Sequence, residues 1–168
     1  MTRLLKAIGA AAAVVGFSSA EPGDRFVAVL DGDHVSPPVV TRAGGVANFT
    51  VVGDTALTYD VQLTRMSNVW SAGIYFTNAR GEYVRAAALY VRPRTGEFSR
   101  IVAAGTLTNG DMLSGITVKQ LAESMRKKAA YVQIHTAAYP DAEVRGQIMP
   151  AEEWEKKVAL GRNEPLIY

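Results

Sequence analysis

The sequence predicts an all-β domain, an antiparallel β-sandwich with one inserted helix and a short C-terminal helix. Three observations carry this. Short runs rich in Val, Phe, Tyr and Thr recur from Arg25 to Thr136, the composition that suits a pleated, half-buried surface. Gly-, Asp- and Pro-containing turn signals separate them. Leu57-Thr58-Tyr59-Asp60-Val61-Gln62-Leu63 alternates strictly, apolar against polar, as in an antiparallel strand with one face buried and one in water.

In chain order, the predicted strands are 25–30, 46–52, 57–63, 69–76, 83–91, 101–107 and 131–136. The turns between them are Asp31-Gly32-Asp33, Ala43-Gly44-Gly45, Gly53-Asp54, the stretch from Asn78 to Gly81, and Pro93 to Gly96. One helix interrupts the series. Val118, Leu121, Ala122 and Met125 fall at i, i+3, i+4 and i+7, one face of a helix. Thr117 with Gln120 makes a capping box, and Lys127 and Lys128 suit the negative end of the helix dipole. A second helix is predicted from Ala151 to Leu160. Acidic residues lie at its start, Lys156 and Lys157 follow, and Gly161 stops it. Arg162 to Tyr168 reads as an extended tail. Neither repeats nor a linker divide the chain, so the organisation is a leader over 1–20, a sandwich over 21–150 and a C-terminal helix and tail over 151–168.

Composition narrows function mainly by exclusion. The 168 residues are 48% hydrophobic and 20% charged, enough for one packed core. The absence of cysteine removes disulfides, thiolate metal sites and a cysteine nucleophile. Only His34 and His135 offer imidazole. Met1 to Ala20 has the three parts of a signal peptide: Arg3 and Lys6, an apolar run from Ala7 to Phe17, and small residues at Ser18-Ser19-Ala20. The other reading is a retained N-terminal hydrophobic helix, which at about 16 Å would be too short to span a bilayer. Without the leader the 18 basic residues fall to 16, equal to the 16 acidic ones. That balance gives no support for nucleic-acid binding.

The segment from Tyr131 to Ile148, with Tyr131, Val132, His135, Thr136, Glu143, Arg145, Gly146 and Gln147 at the matching positions, resembles the closing motif of the CHRD (chordin) domain. Phe26 to Leu30 followed by Val35-Ser36-Pro37-Pro38-Val39 resembles that family's opening strand, and Gly44 to Phe49 its next one. The resemblance runs from about Arg25 to Met149. It implies a small antiparallel β-sandwich, immunoglobulin-like or superoxide-dismutase-like. By analogy it implies binding outside the cytoplasm, since chordin is an extracellular antagonist that binds growth factors. The chain also departs from the family. Where members usually carry A-A-H-I-H, similar to the metal-binding H-x-H of copper–zinc superoxide dismutases, this chain has Ser71-Ala72-Gly73-Ile74-Tyr75.

Weighed singly, the remaining residues support structure before chemistry. His135 lacks the three or four ligands a metal needs, so it reads as a half-buried histidine bonded to backbone or carboxylate. Glu143, Arg145 and Gln147 alternate on one strand face and read as charge-assisted ties between strand ends. Asp31 and Asp33 form a turn rather than a calcium loop. Arg80, Arg85, Arg92, Arg94 and Arg100, with Tyr83 and Tyr90, form a loose basic stretch centred on a hairpin. Neither a serine triad nor a G-x-S-x-G elbow is present. Trp154 and Val158, with Leu160, make an apolar stripe that either packs on the sandwich or meets another protein.

The expectation is therefore an exported, non-enzymatic module with no cofactor, working by protein–protein interaction as a binding module or as an accessory subunit of a larger assembly. Its partner is a protein, a membrane-associated complex among the candidates. Trp154 is the candidate contact. The localisation expected is extracytoplasmic: secreted, periplasmic or an organelle lumen. The competing expectation is a metal-binding or redox enzyme distantly like superoxide dismutase.

Overall fold

Alternating apolar residues build two antiparallel sheets that share one core. In the computed structural model, which describes residues 25–78, 80–89 and 96–161, the elements are β1 (Arg25–Leu30), β2 (Gly44–Val52), β3 (Ala56–Ser67), β4 (Val69–Thr77), β5 (Tyr83–Leu89), β6 (Glu97–Thr108), a 3-10 turn (Asn109–Asp111), α1 (Val118–Arg126), β7 (Ala130–Thr136), β8 (Val144–Gln147), β9 (Met149–Pro150) and α2 (Ala151–Ala159). One sheet has the order β6-β3-β2-β1-β9 and the other β5-β4-β7-β8. The predicted leader, the turn from Pro93 to Thr95 with Tyr90, Arg92 and Arg94, and the tail from Arg162 lie outside the described residues.

The alternating face of β3 does what its pattern dictates: Leu57, Tyr59, Val61 and Leu63 are all buried. They meet Phe26, Ala28 and Leu30 of β1, Ala47, Phe49 and Val51 of β2, and Ala72, Ile74, Val132 and Ile134 of the facing sheet. Burying so many large side chains is the main force holding the sheets together, at roughly 25 cal/mol per Å² of apolar surface. α1 adds Val118, Leu121, Ala122 and Met125 to the same core. Its capping box is formed, with the Gln120 amide donating to Thr117 Oγ1 at 3.2 Å and the Thr117 amide to Gln120 Oε1 at 2.9 Å.

Two features go beyond the sequence pattern. β3 and β6 each run twelve residues and pair along their length through two irregularities, near Val61/Gln62 and Leu63/Met66, with Arg65 at φ 52°. The end of the chain also turns a corner. β8 pairs with β7, yet β9, beginning two residues later, pairs with β1 of the other sheet. A seam joins β8 to β1 directly, because the Asp31 and Arg145 amides each donate to the other's carbonyl at 3.2 and 2.9 Å. α2 follows at once and packs back against β1 and β9. Of the two arrangements open to Trp154, the structure thus holds the first. Trp154 is half-buried, and it lines a cavity with Val27, Val29 and Met149.

Candidate functional site

The outer face of the four-stranded sheet gathers side chains that are far apart in sequence. In register, Ser71 lies opposite His135, Gly73 opposite Gln133 and Tyr75 opposite Tyr131, while Gln133 faces Arg145 and Thr77 faces Tyr83. An antiparallel sheet with one solvated face ordinarily presents small polar residues there. This one presents Trp70, Tyr75, Tyr83, Tyr131, Arg85 and Arg145.

The rings and cations touch. Tyr75 and Tyr83 stack, with centroids 5.3 Å apart and planes 6° from parallel. The Arg145 guanidinium lies 4.0 Å from the Tyr131 centroid and 5.2 Å from that of Tyr83, the placement in which a ring quadrupole attracts a cation. Trp70, half-exposed at 51%, sits 6.0 Å from the His135 ring. Beside them runs a groove of about 450 Å³ lined by Tyr75, Tyr83, Gln133, His135, Pro140 and Arg145, together with Ser36 and Asp141. Burial pushes the Tyr83 phenol up to about 12, against the opposing pull of the Arg145 charge. The phenol therefore stays protonated at physiological pH.

His135 is buried and fully engaged. The Pro140 carbonyl can only accept, so His135 Nδ1–H donates to it at 2.9 Å. Its Nε2 is hydrogen-bonded to the Tyr75 hydroxyl, 3.1 Å away. Thr136, next along β7, points the other way and is wholly buried. Its hydroxyl donates to Glu143 Oε2 at 2.8 Å, and Thr41 donates to Oε1 at the same distance. Glu143 thus clasps two segments through a buried carboxylate, and it precedes β8 rather than pairing with Arg145. Gln147 donates to the Lys128 carbonyl at 2.8 Å. Gly146 lets β8 approach β1, since a Cβ there would fall 2.2 Å from the Val29 carbonyl oxygen.

Gly73 has an equally specific reason. Arg85 reaches across its bare backbone to donate to the Ala72 carbonyl at 2.8 Å and to Ser71 Oγ at 3.3 Å. A Cβ at Gly73 would come within 2.7 Å of Arg85 Nε. The place of a first histidine in the H-x-H pattern is therefore filled by a guanidinium, and that of the second by a phenol bonded to His135. This donor set does not fit a metal ion. Among the described residues no three His, Asp or Glu side chains converge as ligands.

A family model describing the CHRD domain matches residues 26–148. The chain belongs to the CHRD family. No curated protein and no solved structure matches it. CHRD domains are in general extracellular and associated with binding. Among the described residues, no helix of this CHRD protein is long and apolar enough to cross a membrane. Of the motif residues, Thr136, Glu143, Gly146 and Gln147 hold strands and loops together here. His135 and Arg145 lie on the outer face. The sequence analysis named neither Trp70 nor Tyr75 as a binding residue. Alternation could have placed Tyr75 outside the apolar face, but Trp70 shares the parity of buried Ala72 and Ile74 and reaches the outer side only through the pairing irregularity between Val69 and Ser71.

Proposed function

We propose that this protein is an exported binding module without enzymatic activity, which engages a protein partner through the outer face of its four-stranded sheet. It acts alone or as an accessory subunit of a larger assembly. One observation carries the reading: Trp70, Tyr75, Tyr83 and Tyr131 share that face with Arg85 and Arg145. Trp, Tyr and Arg are the residues that dominate interface energetics: the two rings bring large contact area at little entropic loss, and Arg brings a planar fork of donors. CHRD family membership supports the reading. The test is quantitative co-purification from native membranes and extract with four baits: the wild-type chain, Trp70→Ala, Tyr83→Ala, and a control, Gln62→Ala, on the opposite sheet. The expected result is a partner kept by wild type and control and lost by both face variants. A partner held equally by all four, or none at all, would refute the proposal.

The competing reading, a metal-binding or redox enzyme, requires ligands where Gly73 and Tyr75 stand. Elemental analysis of purified protein is expected to find no stoichiometric copper or zinc. About one tightly held ion per chain, lost in His135→Ala, would reverse that expectation.

A further inference from the structure

Where α2 packs on β1, a second cavity of about 500 Å³ shares Arg145 with the aromatic groove. His34, Tyr131 and Gln147 line it beside an apolar floor. Val27 and Val29 point outward because Phe26, Ala28 and Leu30 point into the core. Met149 continues that floor, and Trp154 hangs over it from α2. Its flanks are cationic, with Arg145 on β8 and Lys157 on the last turn of α2. Among the described residues neither cation is paired with a carboxylate. The nearby acids are engaged elsewhere: Asp31 with His34, Glu153 with Lys128, Glu155 with Arg25 and Glu152 with Lys156.

We propose that this groove is a binding site for a small amphipathic carboxylate, of the chemical class of a medium-chain fatty acid. The alkyl chain lies on Val27, Val29 and Met149 beneath Trp154, and the carboxylate sits between Arg145 and Lys157. The volume lies within the usual range for small-molecule sites, about 300–1,000 Å³. Two cations that lack carboxylate partners among the described residues, beside an apolar floor, select a ligand that is anionic at one end and greasy along its length. An inorganic anion leaves the floor in water, and a neutral alcohol leaves the cations unmatched. Arg145 is suited to the task. Its guanidinium donates to the His34 carbonyl over a long 3.5 Å, and among the described residues its Nε is buried without a partner.

The site shares Arg145 and Tyr131 with the binding face proposed above, but its test is separate. The chain has two tryptophans, so the full chain carrying Trp70→Phe reports on Trp154 alone. Its fluorescence is followed during titration with sodium decanoate, kept below the concentration at which decanoate aggregates. Decanol and decyltrimethylammonium serve as neutral and cationic controls. Lys157 is exposed, so replacing it leaves the fold intact. The expected result is a saturable response to decanoate alone, with affinity weakened about tenfold by Lys157→Met, as for loss of one charge-assisted contact, and further by Lys157→Glu. No saturable response, equal binding of decanol, or indifference to Lys157→Glu would each overturn the proposal.

Discussion

Replacing Gly146 by alanine should be among the most damaging single-methyl changes this domain can suffer. The added Cβ would stand 2.2 Å from the Val29 carbonyl oxygen, 2.8 Å from its carbon and 2.9 Å from Leu30 Cδ2. The first of these is more than about 1 Å short of ordinary van der Waals contact. Two of the obstacles are backbone, so no rotamer change relieves them. β8 must draw away from β1, and a shift of that size breaks both Asp31–Arg145 backbone hydrogen bonds, at about 1 kcal/mol each. It also opens the core beside Val144 and Leu30, and a forced backbone shift adds about 1–3 kcal/mol. The sum is about 3–5 kcal/mol. At roughly 3–5 °C per kcal/mol for a domain of this size, the melting temperature should fall by about 10–20 °C. Thermal melts followed by circular dichroism measure it, with urea midpoints as a check. Gly53→Ala is the control. Gly53 has φ +60° and no atom within 4 Å of an added Cβ, so it reports left-handed strain alone, about 1–2 kcal/mol. A Gly146→Ala melt within about 3 °C of wild type would show that the seam between β8 and β1 yields easily and that the clash argument is wrong.

Three further outcomes follow from the geometry. Thr136→Val removes one of the two hydroxyl donors to the buried Glu143 carboxylate and should lower stability by about 1.5–3 kcal/mol, read from urea denaturation; no change would mean that water replaces the hydroxyl. Tyr83 should ionise near pH 12 in an ultraviolet titration. Its folded value lies above the unfolded one, so its contribution to stability is complete below about pH 10 and is lost as pH rises through 12. Arg145→Met should raise the value further, and a phenol titrating near 10 would contradict the burial argument. Ending the chain after Ala151 should leave a cooperatively folded sandwich, because every strand among the described residues is complete by Pro150. If that version fails to melt cooperatively, α2 belongs to the core.

How far the sequence could be read depended on periodicity. Strict alternation from Leu57 to Leu63 located one face of β3, and the 3.6-residue spacing of Val118, Leu121, Ala122 and Met125 located α1. The ends of β3 and β6 were missed because irregular pairing near Leu63/Met66 breaks the period of two on which the reading depends. β9 was missed because a two-residue strand has no period at all. Glu143 was grouped with Arg145 by parity, but the strand begins at Val144, so parity stopped being informative one residue too early. The aromatic face is a cross-strand property: Tyr75, Tyr83, Tyr131 and Arg145 become neighbours only once the register of four strands is set. Likewise, the reason for Gly73 became visible only when Arg85 was seen lying over it.

Arg145 is held by its main chain on both sides, by β7 through the sheet and by Asp31 through the seam, so the strand that carries it has little freedom to shift. The side chain, however, stands between two cavities and helps to line each. Both cavities therefore draw on one guanidinium, and a substitution at Arg145 removes a lining side chain from each of them at once.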